Sequence, residues 1–380
     1  MANTFLTANL IAREALPILA NNTVMPQLVH TDYSNDYKKA GDTIQVRKPA
    51  VFTAVEFDGD LTGEYQNITE TNVLVQLNKI ADVSVEVTSK ELTLNVEDFN
   101  AQVVEPAMVA LAQKIDSDLT DLYVDIPYFY GASGTTPDEL ADIAGVRKVL
   151  MNNKCPNDNN KRLVVDEEAE AKFLALDSLV NVDKSGTTDA LREASLGRVY
   201  KMGLYMDQNI KTHTAGAYSA LADVTITAGA AGATTIELTS AAGASTAKLL
   251  KGDIFTLDGN QYVVTADTAA AVAGVVSVGV YPAIPVAFGD MTSDAVTFAD
   301  VTAKAHTANL AFHKNAFALV SRPQMSPMGG ADSYSTMADG TINVRATMDY
   351  DMNKKQNIVS FDVLYGVKTL YPELAARLLG

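Results

Sequence analysis

The 380 residues are 47% hydrophobic, enough for a sizeable core spread over two or three domains. The 46 acidic residues against 29 basic ones give a net charge of −17, which repels nucleic acid except at a local basic patch. No run reaches the ~18–20 apolar residues of a membrane span, and the single cysteine, Cys155, excludes an internal disulfide framework and suits a reducing cytosol.

The first 22 residues do not read as a secretory signal, because a basic leading region is missing and Arg13 and Glu14 interrupt the apolar run. Residues 5–25 pattern as a short amphipathic helix broken or ended near Pro17, followed by an arm, 24–37, of little periodicity. Two readings stay open: a helix packed on its own domain, or an arm that reaches a neighbour.

Strand patterns follow at 42–57 and 71–88. In the second, Val73, Val75, Leu77, Ala81, Val83, Val85 and Val87 hold the odd positions, with Lys79 alone breaking the apolar set. Arms of roughly 17 residues at ~3.3 Å each predict a hairpin of roughly 55 Å, long against a mean strand of ~5–6 residues. Its tip, 58–70, is acidic and rich in turn residues. Such a ribbon either folds back on its own domain or lies against another subunit, and its length favours the second. Arg47, Lys48, Phe57, Glu64 and Tyr65 are the expected intersubunit contacts.

The strongest helical signal is at 95–126. Val104, Met108, Leu111, Ile115, Leu119, Leu122 and Ile126 recur at steps of three and four, while Gln113, Asp118, Asp121 and Asp125 fall off that stripe. Asn95 is placed as N-cap, with Glu97 and Asp98 near the positive end of the helix dipole. If continuous, the helix would be a rod of roughly 48 Å. Pro106 removes one backbone N–H and is expected to loosen the helix around Gln102 and Val103, as a hinge.

Next come a helix at 137–153, a short buried strand at 161–166 and a helix at 167–180, with Thr136 and Asp166 as caps. A polar loop at 181–198 leads to a strand at 199–210, completing a small α+β domain. From 214 to 308 the composition turns to Ala, Gly, Thr and Val. Short strands are predicted at 224–227, 234–238, 253–257, 262–265 and 275–281, with Asp258 and Gly259 as a hairpin turn. This is an all-β module, inserted into the domain around it or an internal part of that domain. The earlier character resumes at 309–320. A loop at 321–340 precedes two long strands, 341–350 and 357–365, and a short helix closes the chain at 372–379.

No arrangement assembles nucleophile, base and oxyanion donors, and the phosphate-loop, dinucleotide, zinc-protease and serine-elbow motifs are missing. His306 and His313 could share a helix face but lack a third ligand. Asp118, Asp121 and Asp125 read as a solvated face rather than a cation site. Asp166, Glu167 and Glu168 mark a helix start, and Cys155 reads as inert. The expectation is a chain that is not an enzyme and has neither cofactor nor metal.

The order of parts resembles the major coat protein of tailed phages, the Hong Kong 97 fold, and the local text is similar to the insertion-bearing coat proteins of short-tailed Salmonella-type phages. The stretches that carry the likeness are MANTFLTANLIAREALPIL at the start, the ribbon and helix at 83–122, LREASLGRVYKMGLYMDQNI, GDIFTLDG, NLAFHKNAFALV and FDVLYGVKTLYPELAARLLG. The resemblance implies an α+β fold in which 1–40 is an N-terminal arm, 41–90 the E-loop ribbon and 91–130 the spine helix of the P-domain. Residues 131–213 would be the A-domain, 214–308 the β-rich insertion, 309–340 the return of the A-domain, and 341–380 the P-domain strands and C-terminus. It further implies an icosahedral shell of pentamers and hexamers around a double-stranded DNA genome, assembled in the bacterial cytoplasm through a precursor. The partners would be further copies of the chain, a scaffolding protein, a portal protein, a decoration protein and, weakly, packaged DNA, with no membrane. A secreted surface-layer or adhesin protein and an unrecognised hydrolase stay as alternatives.

Overall fold

The computed structural model describes residues 15, 17–19, 23–31, 43–48, 54, 56, 71–88, 103–181, 189–241, 246–287, 289, 291, 294–300, 305–325, 327, 332–338 and 342–380. Two compact units emerge: Met1–Asn21, Thr31–Leu111 and Ala318–Leu370 form one, and Asn22–His30, Ala112–Phe317 and Tyr371–Gly380 the other.

In the first unit, Thr43–Lys48 pairs antiparallel with Thr71–Gln76, from Thr43 opposite Gln76 to Lys48 opposite Thr71. The ribbon does not take the whole of 71–88, as the alternation had suggested. It stops at Gln76, and Lys79–Thr88 pairs instead with Gln356–Thr369, from Lys79 opposite Tyr365 to Thr88 opposite Gln356. Gly366 makes that crossing possible, since a Cβ there would lie 2.0 Å from the carbonyl oxygen of Gln76. Period-2 patterning survives a change of partner, so the alternation is silent about the break.

Gln356–Thr369 is central to a five-stranded sheet with Phe317–Ser321, Ile342–Asp351, Asp332–Ala338 and Lys79–Thr88. Its apolar face includes Val87, Val344, Ala346, Val359, Phe361 and Val363, all buried. The opposite face is polar: Arg345 Nε donates to both carboxylate oxygens of Asp362, at 2.9 and 3.1 Å, and Ser360 donates to Asp82 at 2.6 Å. Asp332–Ala338 corrects the loop expected over 321–340. Its DSYSTMA sequence has no apolar alternation, but it pairs along its whole length with the next strand, Ala338 opposite Ile342.

The α-helix Glu105–Thr120 runs across the cut between the units, and residues 95–102 of the expected rod lie outside the described residues. Val104, Met108, Leu111, Ile115, Leu119 and Ile126 are buried as the stripe predicts. Leu122 is only half-buried, because the helix tightens to a 3-10 turn over Asp121–Asp125 and Tyr123 turns inward in its place.

The second unit holds a mixed sheet in the order Phe129–Tyr130, Ala375–Leu379, Ala305–His313, Lys161–Val165, Met202–Met206, Arg198–Val199, with Thr212–Thr214 also on Ala305–His313. The helices Leu140–Asn152 and Glu167–Leu174 cover it through Ile143, Val146, Leu150, Ala169 and Phe173. Asp166 caps as expected, accepting from Ala169 N–H at 3.2 Å. Thr136 does not; Glu139 and Asp142 form the capping box instead. The single helix expected at 167–180 is two, Glu167–Leu174 and Asp177–Val180. The C-terminal helix is also overturned: after a 3-10 turn at Pro372–Leu374, Ala375–Leu379 is a strand buried at every position. Ala, Leu and Arg favour helix, but two strand edges flank this stretch and tertiary pairing overrides propensity.

Residues 224–298 form a six-stranded antiparallel sheet in the order Val296–Phe298, Ile254–Leu257, Asn260–Val264, Val275–Tyr281, Thr235–Ser240, Val224–Ala228. Its two outer strands meet at a Thr225–Ala295 bridge, and Ile226 N–H reaches Asp294 O at 2.9 Å, so the sheet closes as a barrel. Ile226, Ile236, Leu238, Phe255, Leu257, Tyr262, Val264, Val278 and Phe298 fill it. The hairpin turn at Asp258 and Gly259 has positive φ at both residues, 47° and 76°, as the dipeptide predicts.

Candidate functional site

The densest chemistry among the described residues lies where the chain enters and leaves the barrel. Thr212–Thr214 leads in and Ala305–His313 leads out, and they pair with His213 directly opposite His306. The two imidazole rings stand 5.3 Å apart. His213 Nε2 is 2.9 Å from Asp253 Oδ1, and its Nδ1 is 2.9 Å from the Tyr123 hydroxyl. His306 Nδ1 is 2.8 Å from Asp300 Oδ1, which also accepts from the Ser133 hydroxyl. Asp253 accepts the backbone N–H groups of Gly216 and Leu250, at 3.1 and 2.8 Å. A side chain at Gly216 would collide with Lys248 O, 2.4 Å from its Cβ position, so this close approach requires glycine.

Arg377 completes the cluster from the C-terminal strand. It is fully buried, donates to Gly252 O at 2.8 Å, and lies 5.1 Å from the centroid of the Tyr123 ring. Burial pulls its pKa down to about 10, against the opposing charges of Tyr123, Asp300, Asp253 and Asp125. Burial also holds His306 below the usual histidine range, with Arg377 and His213 adding to the effect against Asp300. Burial alone would raise Asp300, but the hydrogen bond and charge of His306 hold its carboxyl below the usual range.

Tyr123, His213 and Asp253 stand in the order of a proton relay. They are 8%, 4% and 1% exposed, so the arrangement fixes charges inside the fold rather than presenting a nucleophile to substrate. Sequence reasoning missed this cluster. Its members are single polar residues scattered over more than half the chain, and the one local signal was Arg377, a charge within an apolar run.

The residues singled out from the sequence do not converge. Arg47 and Lys48 lie on the ribbon strand opposite Asn72 and Thr71, whereas Phe57, Glu64 and Tyr65 lie outside the described residues. Pro106 is the second residue of the α-helix, and Val103 and Val104 just before it are π-helical. His306 and His313 do not share a helix face. Seven residues apart on one strand, they point to opposite sides, each beside its own carboxylate, Asp300 and Asp158. Asp118 is not on a solvated face: it is 3% exposed and takes Lys114 at 2.9 Å. Asp121 is exposed, and Asp125 pairs with Lys251 at 3.0 Å. Cys155 is buried, and burial pushes its thiol up to about 11. Among the described residues, no three His, Cys, Asp or Glu side chains converge as metal ligands would.

No family model and no curated sequence matches the chain. Among solved structures, one from Mycobacterium phage Che8 superposes with a TM-score of 0.53 at 15% identity, covering 100% of this chain and 93% of that one. The capsid structure of cyanophage P-SCSP1u gives a TM-score of 0.47 at 13% identity, covering 100% and 90%. At 15% identity the likeness to the Che8 structure speaks for the fold alone, an α+β fold of the Hong Kong 97 type.

Proposed function

We propose that the chain is the major capsid protein of a tailed bacteriophage, a non-enzymatic subunit that self-assembles into the icosahedral shell around the double-stranded DNA genome. The observation that carries this reading is the likeness of fold to a phage structure over the full length of this chain and 93% of the other. The net charge of −17 fits a container that holds DNA without gripping it. In this reading the ribbon that ends at Gln76 is the E-loop, with Arg47, Lys48, Phe57, Glu64 and Tyr65 touching the next subunit. Lys79–Thr88, Ile342–Asp351 and Gln356–Thr369 belong to the P-domain, the mixed sheet with Ala375–Leu379 to the A-domain, and the barrel is an insertion on it. Pro106, beside the π-helical residues, is the hinge by which one chain fits several environments. The precursor shell would form in the host cytoplasm on a scaffolding protein, with a portal at one vertex and a decoration protein as a possible outer partner.

Sedimentation of the chain expressed in bacteria, with and without deletion of residues 58–70, tests the assignment. The intact chain should give fast-sedimenting particles, and the deletion should leave a folded monomer. A wild-type chain that stays monomeric at every concentration, alone and with a candidate scaffolding protein, contradicts it.

A further inference from the structure

A second pair of buried acids lies apart from the neck of the barrel. Asp116, on the α-helix Glu105–Thr120, is 1% exposed, and Asp207, just after the strand Met202–Met206, is 3% exposed. Thr120, one helical turn beyond Asp116, donates to Asn209 O at 2.9 Å and so ties the loop carrying Asp207 to the same helix face. Asp207 Oδ1 accepts from Asn209 N–H and Nδ2, at 2.8 and 3.0 Å, which leaves its buried Oδ2 without a partner. Asp116 Oδ2 accepts Val24 N–H at 3.0 Å, while its buried Oδ1 is likewise unpaired. The helix therefore holds the start of the short helix Met25–Leu28 by a carboxylate.

We propose that Asp116, with the acid Asp207 beyond it, is a proton-operated latch on the segment 23–30: a proton on Asp116 keeps the segment seated, and ionisation of Asp116 loosens it. A buried carboxylate with an unpaired oxygen and a second buried acid whose charge reaches it resists ionisation, and a proton on Asp116 relieves that cost. Burial first, and the charge of Asp207 second among the raising causes, push Asp116 up to about 7, against the N–H groups of Val24 and Met25. Asp207, on the loop that Thr120 ties to the helix, is the charged side chain whose field reaches Asp116. On the helix itself Lys114 is committed to Asp118 at 2.9 Å, and Lys211 lies 3.8 Å from Asp121. Since folding raises the Asp116 pKa, its stabilising contribution is complete below the usual value of 3.8 and is lost as pH rises through about 7. Buried Met25, Pro26, Leu28 and Val29, with His30 N–H on Phe317 O at 3.1 Å, limit the change to loosening of this segment.

The test is hydrogen–deuterium exchange of residues 23–30 in the full chain at about pH 6 and about pH 8.5, corrected for intrinsic chemical exchange. Opening should grow by up to about tenfold for each pH unit as pH rises toward 7 and level off above it, while Lys161–Val165 stays unchanged. Asp116→Asn should keep the segment protected at both pH values, Asp207→Asn should weaken the pH response, and His30→Gln should leave it intact. Equal protection at both pH values in the wild-type chain overturns the proposal, as does a response that survives in Asp116→Asn or disappears in His30→Gln.

Discussion

The barrel and its neck belong to the same compact unit but are held by opposite chemistry. Inside the barrel, Ile226, Leu238, Phe255, Val278 and Phe298 give stability by removing apolar surface from water, a force without preferred direction. At the neck, Arg377, His213, His306, Asp253 and Asp300 are all at most 4% exposed, and they depend on directional hydrogen bonds and on the opposing charges around Arg377, whose Nε and Nη2 have no hydrogen-bond partner. The barrel should therefore tolerate any apolar filling of the right volume, and the neck almost no substitution. A shape-filling core and a directional polar network fail in different ways.

Replacing Arg377 by Leu is expected to have the largest effect. It leaves Asp253 and Asp300 without their fixed cation and should cost about 3–5 kcal/mol in urea unfolding. Arg377→Lys should recover little of this, because an ammonium cannot both reach Gly252 O and stack on Tyr123 as a guanidinium does. In the barrel, Leu238→Ala should cost about 3 kcal/mol through its cavity, while Leu238→Met stays below about 1.5 kcal/mol. A neck that accepts Lys as easily as the barrel accepts Met would erase the contrast. Tyr218→Phe should be milder, about 1–2 kcal/mol, since the Tyr218 hydroxyl donates to Leu238 O at 3.2 Å and Gly274 O at 2.8 Å.

Acid should separate the two regions more gently. His306 is held below the usual histidine value of 6.5, so its contribution is complete above that pH and is lost as pH falls below it. Asp300 is held below 3.8, so its contribution is complete above that value and fades only under more acidic conditions. Amide exchange at His213 and His306, corrected for intrinsic chemical exchange, should rise on going from neutral to mildly acidic pH, before it rises within Val275–Tyr281. Simultaneous loss of protection in both would show that the neck is not the acid-sensitive element.

The same contrast explains what could be read from the sequence. Three of the five barrel pairings join strands consecutive in the chain, with period-2 burial and an Asp258–Gly259 turn, and Val275–Tyr281 matches its prediction residue for residue. The stripe from Val104 to Ile126 was equally legible, because a helix face is a local property. Legibility failed wherever the partner was distant. Lys79–Thr88 pairs with a strand that starts at Gln356, and nothing within 71–88 announces the change of partner. Ala375–Leu379 has helix-forming composition but lies between Ala305–His313 and Phe129–Tyr130. Asp116 and Asp118 look like surface acids in a helical pattern, and only the loop at Asp207 and the segment at Val24 reveal that this side is covered. The neck needs Tyr123, His213, Asp253, Asp300 and Arg377 together, and no spacing rule links them.

The most direct test of the central claim is electron microscopy of particles formed by the chain in bacteria, alone and with a candidate scaffolding protein. Closed shells of icosahedral symmetry, or irregular ones that become uniform with scaffold, are the expected result. A uniform population of isolated subunits under both conditions would contradict the capsid assignment.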